Sequence, residues 1–147
     1  MLGSHMNSLI DITIKKLDKN TYSKWNEYVS NSGDATFFHL AEWKDVLEES
    51  FGHDTYFIYA EKNGEIEGVL PLGHIQSRLF GNSLVSNPFC VYGGVSATSD
   101  AVRDALEARA VELSRKLTVD YLELRYKDDN ESNWPTKNLH VTFSKEI

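Results

Sequence analysis

The chain opens on a run of β-branched and partly alternating positions, Leu9-Ile10-Asp11-Ile12-Thr13-Ile14, which predicts a first strand over residues 9–14. The hydrophobic spacing then widens to threes and fours. Tyr22, Trp25, Tyr28 and Val29 share one helical face behind a cap at Asn20 or Thr21, and Gly33 ends that unit. A second helix is expected from about His39 to Ser50, with Leu40, Trp43, Leu47 and Phe51 as its apolar stripe and Gly52 as its stop. Two strand-like runs, 55–62 and 65–70, flank Asn63-Gly64. That dipeptide accepts the two positive φ angles of a type I′ turn, so a β-hairpin is predicted. Pro71 lacks the N–H a ladder needs and is expected at an edge or a bulge, with the strand resuming over 72–75.

Ser83-Leu84-Val85-Ser86 reads as another strand, broken by Asn87-Pro88. Ser99 or Asp100 caps a long helix that carries Val102, Leu106, Ala110, Leu113 and Leu117 on one face. Residues 119–125 alternate strictly, 127–134 form a polar loop ended by Pro135, and 139–143 make a last strand. The order is β-α-α-β-β-β-α-β-β. It predicts an α/β (α+β) domain: a mixed, largely antiparallel sheet with helices on its faces.

Composition narrows the classes of function. The 147 residues suit one domain, and Met1 to Met6 read as a cloning scar, leaving 7–147 as the folded unit. Fifteen basic against 22 acidic side chains give a net charge of −7, which argues against binding the phosphate backbone of DNA. A lone Cys90 excludes an internal disulfide and fits a reducing, cytoplasmic setting. No apolar run approaches the roughly 20 residues that span a bilayer.

Chemistry-bearing residues are scattered. His39, His53, His74 and His140 show none of the close spacings of zinc ligands, so no metal is expected. His39 opens a helix beside aromatic residues and is a candidate proton relay, or simply a buried helix-start histidine. Cys90 lacks a neighbouring cation and reads as a structural thiol, and Ser86 lacks the Gly-x-Ser-x-Gly of a nucleophile elbow. Gly93-Gly94 precedes the long helix and would let backbone N–H groups approach a carbonyl or an anion, although two glycines also serve a plain turn. Tyr121, Glu123 and Arg125 share one strand face. Glu123, between two leucines, is the best candidate for a functional carboxylate; an ion pair with Arg125 is the simpler alternative.

Taken in order, several stretches resemble the N-terminal part of the FemAB-like proteins of PEP-CTERM and exopolysaccharide systems, within the GNAT (acyl-CoA N-acyltransferase) superfamily. They are Ala35-Thr36-Phe37-Phe38-His39 with Trp43, Phe51-Gly52-His53 and Gly68-Val69-Leu70-Pro71-Leu72. Ser77-Arg78-Leu79-Phe80-Gly81, Ser86-Asn87-Pro88-Phe89 with Tyr92-Gly93-Gly94, Tyr121-Leu122-Glu123-Leu124-Arg125 and Trp134-Pro135-Thr136-Lys137 complete the set. The resemblance implies a GNAT-like fold and a transferase that joins an acyl or aminoacyl group to an amine of a cell-wall or exopolysaccharide acceptor. It implies Glu123 and His39 in proton transfer, and Trp43, Arg78, Tyr92, Gly93, Gly94 and Arg125 in substrate binding. The Gln/Arg-x-x-Gly-x-Gly/Ala stretch that holds the pyrophosphate of acyl-CoA is not seen before the long helix. The expectation is therefore no resident cofactor, with acyl-CoA or aminoacyl-tRNA as donor substrate of a longer protein. Such relatives continue into a second lobe, so this chain is expected to be a first lobe, inactive alone and prone to form a homodimer. A noncatalytic binding or assembly module in polysaccharide export is the competing expectation.

Overall fold

The computed structural model describes residues 11–33, 35–77, 81–86, 94–126 and 137–142. The first strand, β1, is Thr13–Lys16, keeping Thr13 and Ile14 of the predicted run and extending to Lys16, while Leu9 and Ile10 lie outside the described residues. Helix α1 is Tyr22–Asn31 and buries Trp25 and Val29. The second predicted helix is broken into three pieces. A 3-10 turn covers Phe37–His39, a short α2 covers Glu42–Asp45, and a π-helical stretch covers Val46–Ser50. The wider π turn explains the departure. It pushes the stripe out of phase after the buried Leu47, and Phe51 emerges half exposed to stack on His53.

The hairpin forms as the Asn-Gly signal requires. Strands β2 (Asp54–Lys62) and β3 (Glu65–Ser77) are joined by Asn63 at φ 54° and Gly64 at φ 81°. Pro71 differs from expectation: it sits in register with Phe57, neither at an edge strand nor at the bulge, which lies at Ala60/Glu61. Its tolerance comes from the other side of β3. There β4 (Gly81–Ser86) pairs down to Leu72, and β5 (Ser96–Ala97) picks up again at Val69 and Gly68. Pro71 faces the gap between them, where no ladder N–H is needed.

After β5 comes α3, Asp100–Lys116, with the Val102 amide donating to the Ser99 hydroxyl as its cap. β6 (Tyr121–Tyr126) and β7 (Lys137–Thr142) complete a seven-stranded sheet in the order β1-β2-β3-β4-β6-β7, with β5 beside β3. Every pairing is antiparallel except β4 with β6, which run parallel over Ser83–Val85 and Tyr121–Glu123. The crossover between those two strands carries α3, as parallel neighbours require.

Two cores sandwich the sheet. On one face Leu70, Leu72, Leu84, Leu122 and Leu124 pack against Val102, Leu106 and Ala110 of α3. On the other, Phe57, Tyr59 and Val69 meet Trp25 and Val29 of α1 and Leu47, with Trp25 stacked on Phe57 at 5.6 Å. Burying a side chain of this size stabilises the fold by roughly 1.5–3 kcal/mol. Gly68 allows the close approach of α3: a Cβ there would lie 2.6 Å from Val102 Cγ1. No helix among the described residues is long and apolar enough to cross a membrane, and no cluster of His, Cys, Asp and Glu among them suits a metal.

Candidate functional site

Open sheets with parallel neighbours bind ligands at the carboxyl ends of those strands, where the chain direction of the connections switches. In the described sheet that place is the end of the β4·β6 pair. Its pairing stops at Val85 and Glu123, while β6 continues to Tyr126 against β7 alone. Glu123 is thus the last paired residue before the two strands part. It is half-buried, flanked by the fully buried Leu122 and Leu124, and opposite His140 in the β7 register. Arg125 follows on the same strand opposite Asn138; its side chain lies outside the described residues.

His39 and Gly94 are brought together across 55 positions. The buried His39 ring places Nε2 2.8 Å from the Gly94 carbonyl, and the Thr36 amide donates to Nδ1 at 3.0 Å. An Nδ1 that accepts from an amide has no proton, so we assign the proton to Nε2, which donates to Gly94. The ring therefore holds the end of the segment between β4 and β5 against the 37–39 turn. The same turn receives the Trp25 indole N–H on the His39 carbonyl and the Trp43 indole N–H on the Phe37 carbonyl. Trp43 is half-buried and edge-on to the exposed Phe37, with ring centroids 5.8 Å apart. Arg78, Cys90, Tyr92, Gly93 and the stretch 127–134 expected as a polar loop, with Pro135, lie outside the described residues.

Two polar groups escaped the sequence reading, because their members are adjacent only after folding. Glu48, in the π stretch, accepts from the Thr55 hydroxyl on β2 and pairs with Lys44 at 2.9 Å. Burial pushes its carboxyl up, but the Thr55 and Lys44 hydrogen bonds outweigh that and hold it below its ordinary value. The second group is Ser96, fully buried, whose hydroxyl lies 3.1 Å from both Tyr28 Oη and Ser32 Oγ. Partners 64 and 68 residues apart leave no local signature. Tyr22 also gains a partner, its hydroxyl donating to Asp45 at 2.9 Å; burial first and then Asp45 raise its pKa far above that of a free phenol.

No protein-family model and no curated protein sequence matches the chain. Solved structures do. A GNAT family acetyltransferase from Brucella melitensis in complex with acetyl-CoA shares 12% identity at a TM-score of 0.58, covering 92% of this chain and 90% of that one. The PaiA N-acetyltransferase from Thermoplasma acidophilum, with coenzyme A, shares 13% at 0.58 over 91% of this chain and all of that one. YncA, a putative acetyltransferase from Salmonella typhimurium with its cofactor acetyl-CoA, shares 15% at 0.53 over 82% and 72%.

These complexes overturn the expectation of no cofactor: proteins of this fold are crystallised with acetyl-CoA or CoA. The physical reason is that a helix N-terminus holds phosphate through backbone amides, which a search for a glycine-rich side-chain motif does not register. In this chain the amides of Asp100 and Ala101 precede the first α3 hydrogen bond, Arg103 N to the Ser99 carbonyl, and so point out of the helix end. Outward amides favour an anion in general, while the exposed Asp100 carboxylate in the same turn opposes one. At 12–15% identity the likeness speaks for architecture, and the chain has the mixed α/β fold of the GNAT acetyltransferases.

Proposed function

We propose that this domain transfers an acyl group from acyl-CoA to an amine. The observation that carries the reading is the position of Glu123, at the carboxyl end of the parallel β4·β6 pair in a GNAT-type sheet. Bound there, acyl-CoA supplies an activated thioester carbonyl. The chain's residues do the rest. Amides at the start of α3 hold the phosphate end of the donor. Glu123 takes a proton from the acceptor ammonium, so that the neutral amine attacks and the amide and free thiol leave. His39 acts as a positioning residue, holding Gly94 and with it the segment that leads into β5.

The finer reading draws on the sequence resemblance: the transferred group is acyl or aminoacyl, and the acceptor is a cell-wall or exopolysaccharide amine. The same resemblance makes the chain a first lobe, with Arg78, Tyr92 and Arg125 among the substrate-binding residues. Release of CoA thiol from acetyl-CoA is the assay, run with a panel of amines on this chain and on a two-lobe protein. Glu123→Gln is expected to lower turnover by roughly 10²–10⁴-fold with acetyl-CoA binding retained. Unchanged turnover in that variant removes Glu123 from the reaction.

A further inference from the structure

Strand β1 forms one edge of the sheet, with β2 and β3 between it and β4. The Leu17 amide donates to the Phe57 carbonyl at 2.8 Å, one step beyond the Lys16↔Ile58 register, so that pair is a hydrogen-bonded one. Alternation then turns the N–H and C=O of Thr13 and Lys15 inward to β2, and those of Ile14 and Lys16 outward. Among the described residues no strand pairs with that outer edge.

Beside the edge an open groove of about 680 Å³ runs between β1 and α3. Its floor is apolar: Ile12, Ile14 and Val111 pack against the core, and Ala105 and Ala108 add only methyl groups. Its surroundings are basic, although the chain as a whole carries a charge of −7. Lys15 and Lys16 lie on the edge, Lys16 over the Tyr56 ring at 4.7 Å, and Arg109 and Arg115 line the groove. Glu61 holds Lys15 and Glu112 holds Arg109, each at 2.7 Å, while the exposed Arg115 has no carboxylate partner among the described residues. A second copy of the chain is disfavoured here. Antiparallel pairing about Lys15 sets that lysine opposite its own copy with the Lys16 charges beside it, and edge lysines of this kind oppose self-pairing.

We infer that the β1 edge takes an extended, acidic segment of a partner protein as an eighth strand, with its alternate apolar side chains on the groove floor. The inference does not rest on the acyl-transfer reading, and its test uses no acyl donor. The probe is a blocked peptide of seven residues that alternates glutamate and valine, titrated into the full chain and followed by amide chemical shifts and hydrogen exchange. Binding is expected to slow exchange of the Ile14 and Lys16 amides. Its lysine–valine counterpart, heptaglutamate, and a version N-methylated on the amides that face β1 are each expected to bind at least about tenfold more weakly. Arg115→Glu is expected to weaken the probe about tenfold. Glu112→Gln, which releases Arg109, is expected to tighten it severalfold, a gain that no folding defect can imitate. Absence of binding, equal affinity for any of the three control peptides, indifference to both substitutions, or self-association of the chain through β1 overturns the inference.

Discussion

Gly68→Ala tests the packing that sets α3, and with it the proposed donor site, over the sheet. A Cβ at this position would lie 2.6 Å from Val102 Cγ1, 3.0 Å from Leu106 Cδ1 and 3.0 Å from the Ser96 carbonyl. Leu106 can adjust by rotating its tip. Val102 cannot swing away, because a β-branched side chain in a helix has essentially one χ1 rotamer. Ser96 is backbone, fixed by its β5 pairing with Val69. Replacing glycine by alanine in an open strand position would stabilise by about 0.4–1 kcal/mol through the unfolded state. Overpacking of this kind costs about 1–3 kcal/mol, so the net effect is expected to be destabilising. At roughly 3 °C per kcal/mol for a chain of this length, Tm falls by about 3–6 °C. The cycle with Val102→Ala sharpens the test. Val102→Ala alone loses about 2 kcal/mol of burial, yet it removes the clashing methyl. The double variant is therefore expected to be more stable than the sum of the two by about 1 kcal/mol or more. Urea unfolding of the four proteins measures this. A neutral or stabilised Gly68→Ala, or strict additivity, refutes the packing argument.

Trp25→Phe leaves the buried His39 carbonyl without its indole donor while retaining most of the stack on Phe57; unfolding is expected to become easier by about 1–3 kcal/mol in denaturant titration. Gly64→Ala forces a side chain into φ 81° at the hairpin turn and is expected to cost about 1–2 kcal/mol, whereas Asn63→Gly is tolerated. Glu48 titrates below its ordinary value of 4.5 in the folded chain, so its contribution to stability is present above that pH and is lost as pH falls through the folded pKa. Thr55→Val removes one of the hydrogen bonds that lower it, and carbon NMR titration is expected to show the Glu48 carboxyl moving back up. Asp100→Asn removes the exposed carboxylate in the first turn of α3 and is expected to tighten acetyl-CoA severalfold in calorimetry.

The elements that were legible in the sequence are those whose cause is local. Asn63-Gly64 dictates its own turn, the 102, 106 and 110 spacing dictates α3, and alternation around Leu122 and Leu124 dictates β6. What was hidden depends on residues that meet only after folding. The stripe of Leu40, Trp43, Leu47 and Phe51 fits one helix on paper, but a π turn between Val46 and Ser50 breaks it. Its partners explain why that is tolerated, since Glu48 is pinned to Thr55 of β2 and Lys44. Pro71 suggests an edge or a bulge in the sequence because a single strand does not reveal that its two neighbours, β4 and β5, leave a gap beside it. Of the candidate site, Glu123 was visible as a carboxylate between leucines, but its place beside β4 needed the parallel pairing. His39 was visible as a residue type; its bond to Gly94 was not. The expectation of no resident cofactor rested on the missing glycine-rich stretch, and the acetyl-CoA and CoA complexes of this fold overturn it; phosphate contacts made by backbone amides leave little trace in side-chain motifs.

Calorimetric titration of acetyl-CoA into this chain decides whether the sheet and α3 form a donor site. Binding with a dissociation constant in the micromolar range, competed by CoA and strengthened by Asp100→Asn, is the predicted result. Absence of heat at millimolar acetyl-CoA, in protein whose melting transition shows it folded, would contradict the account.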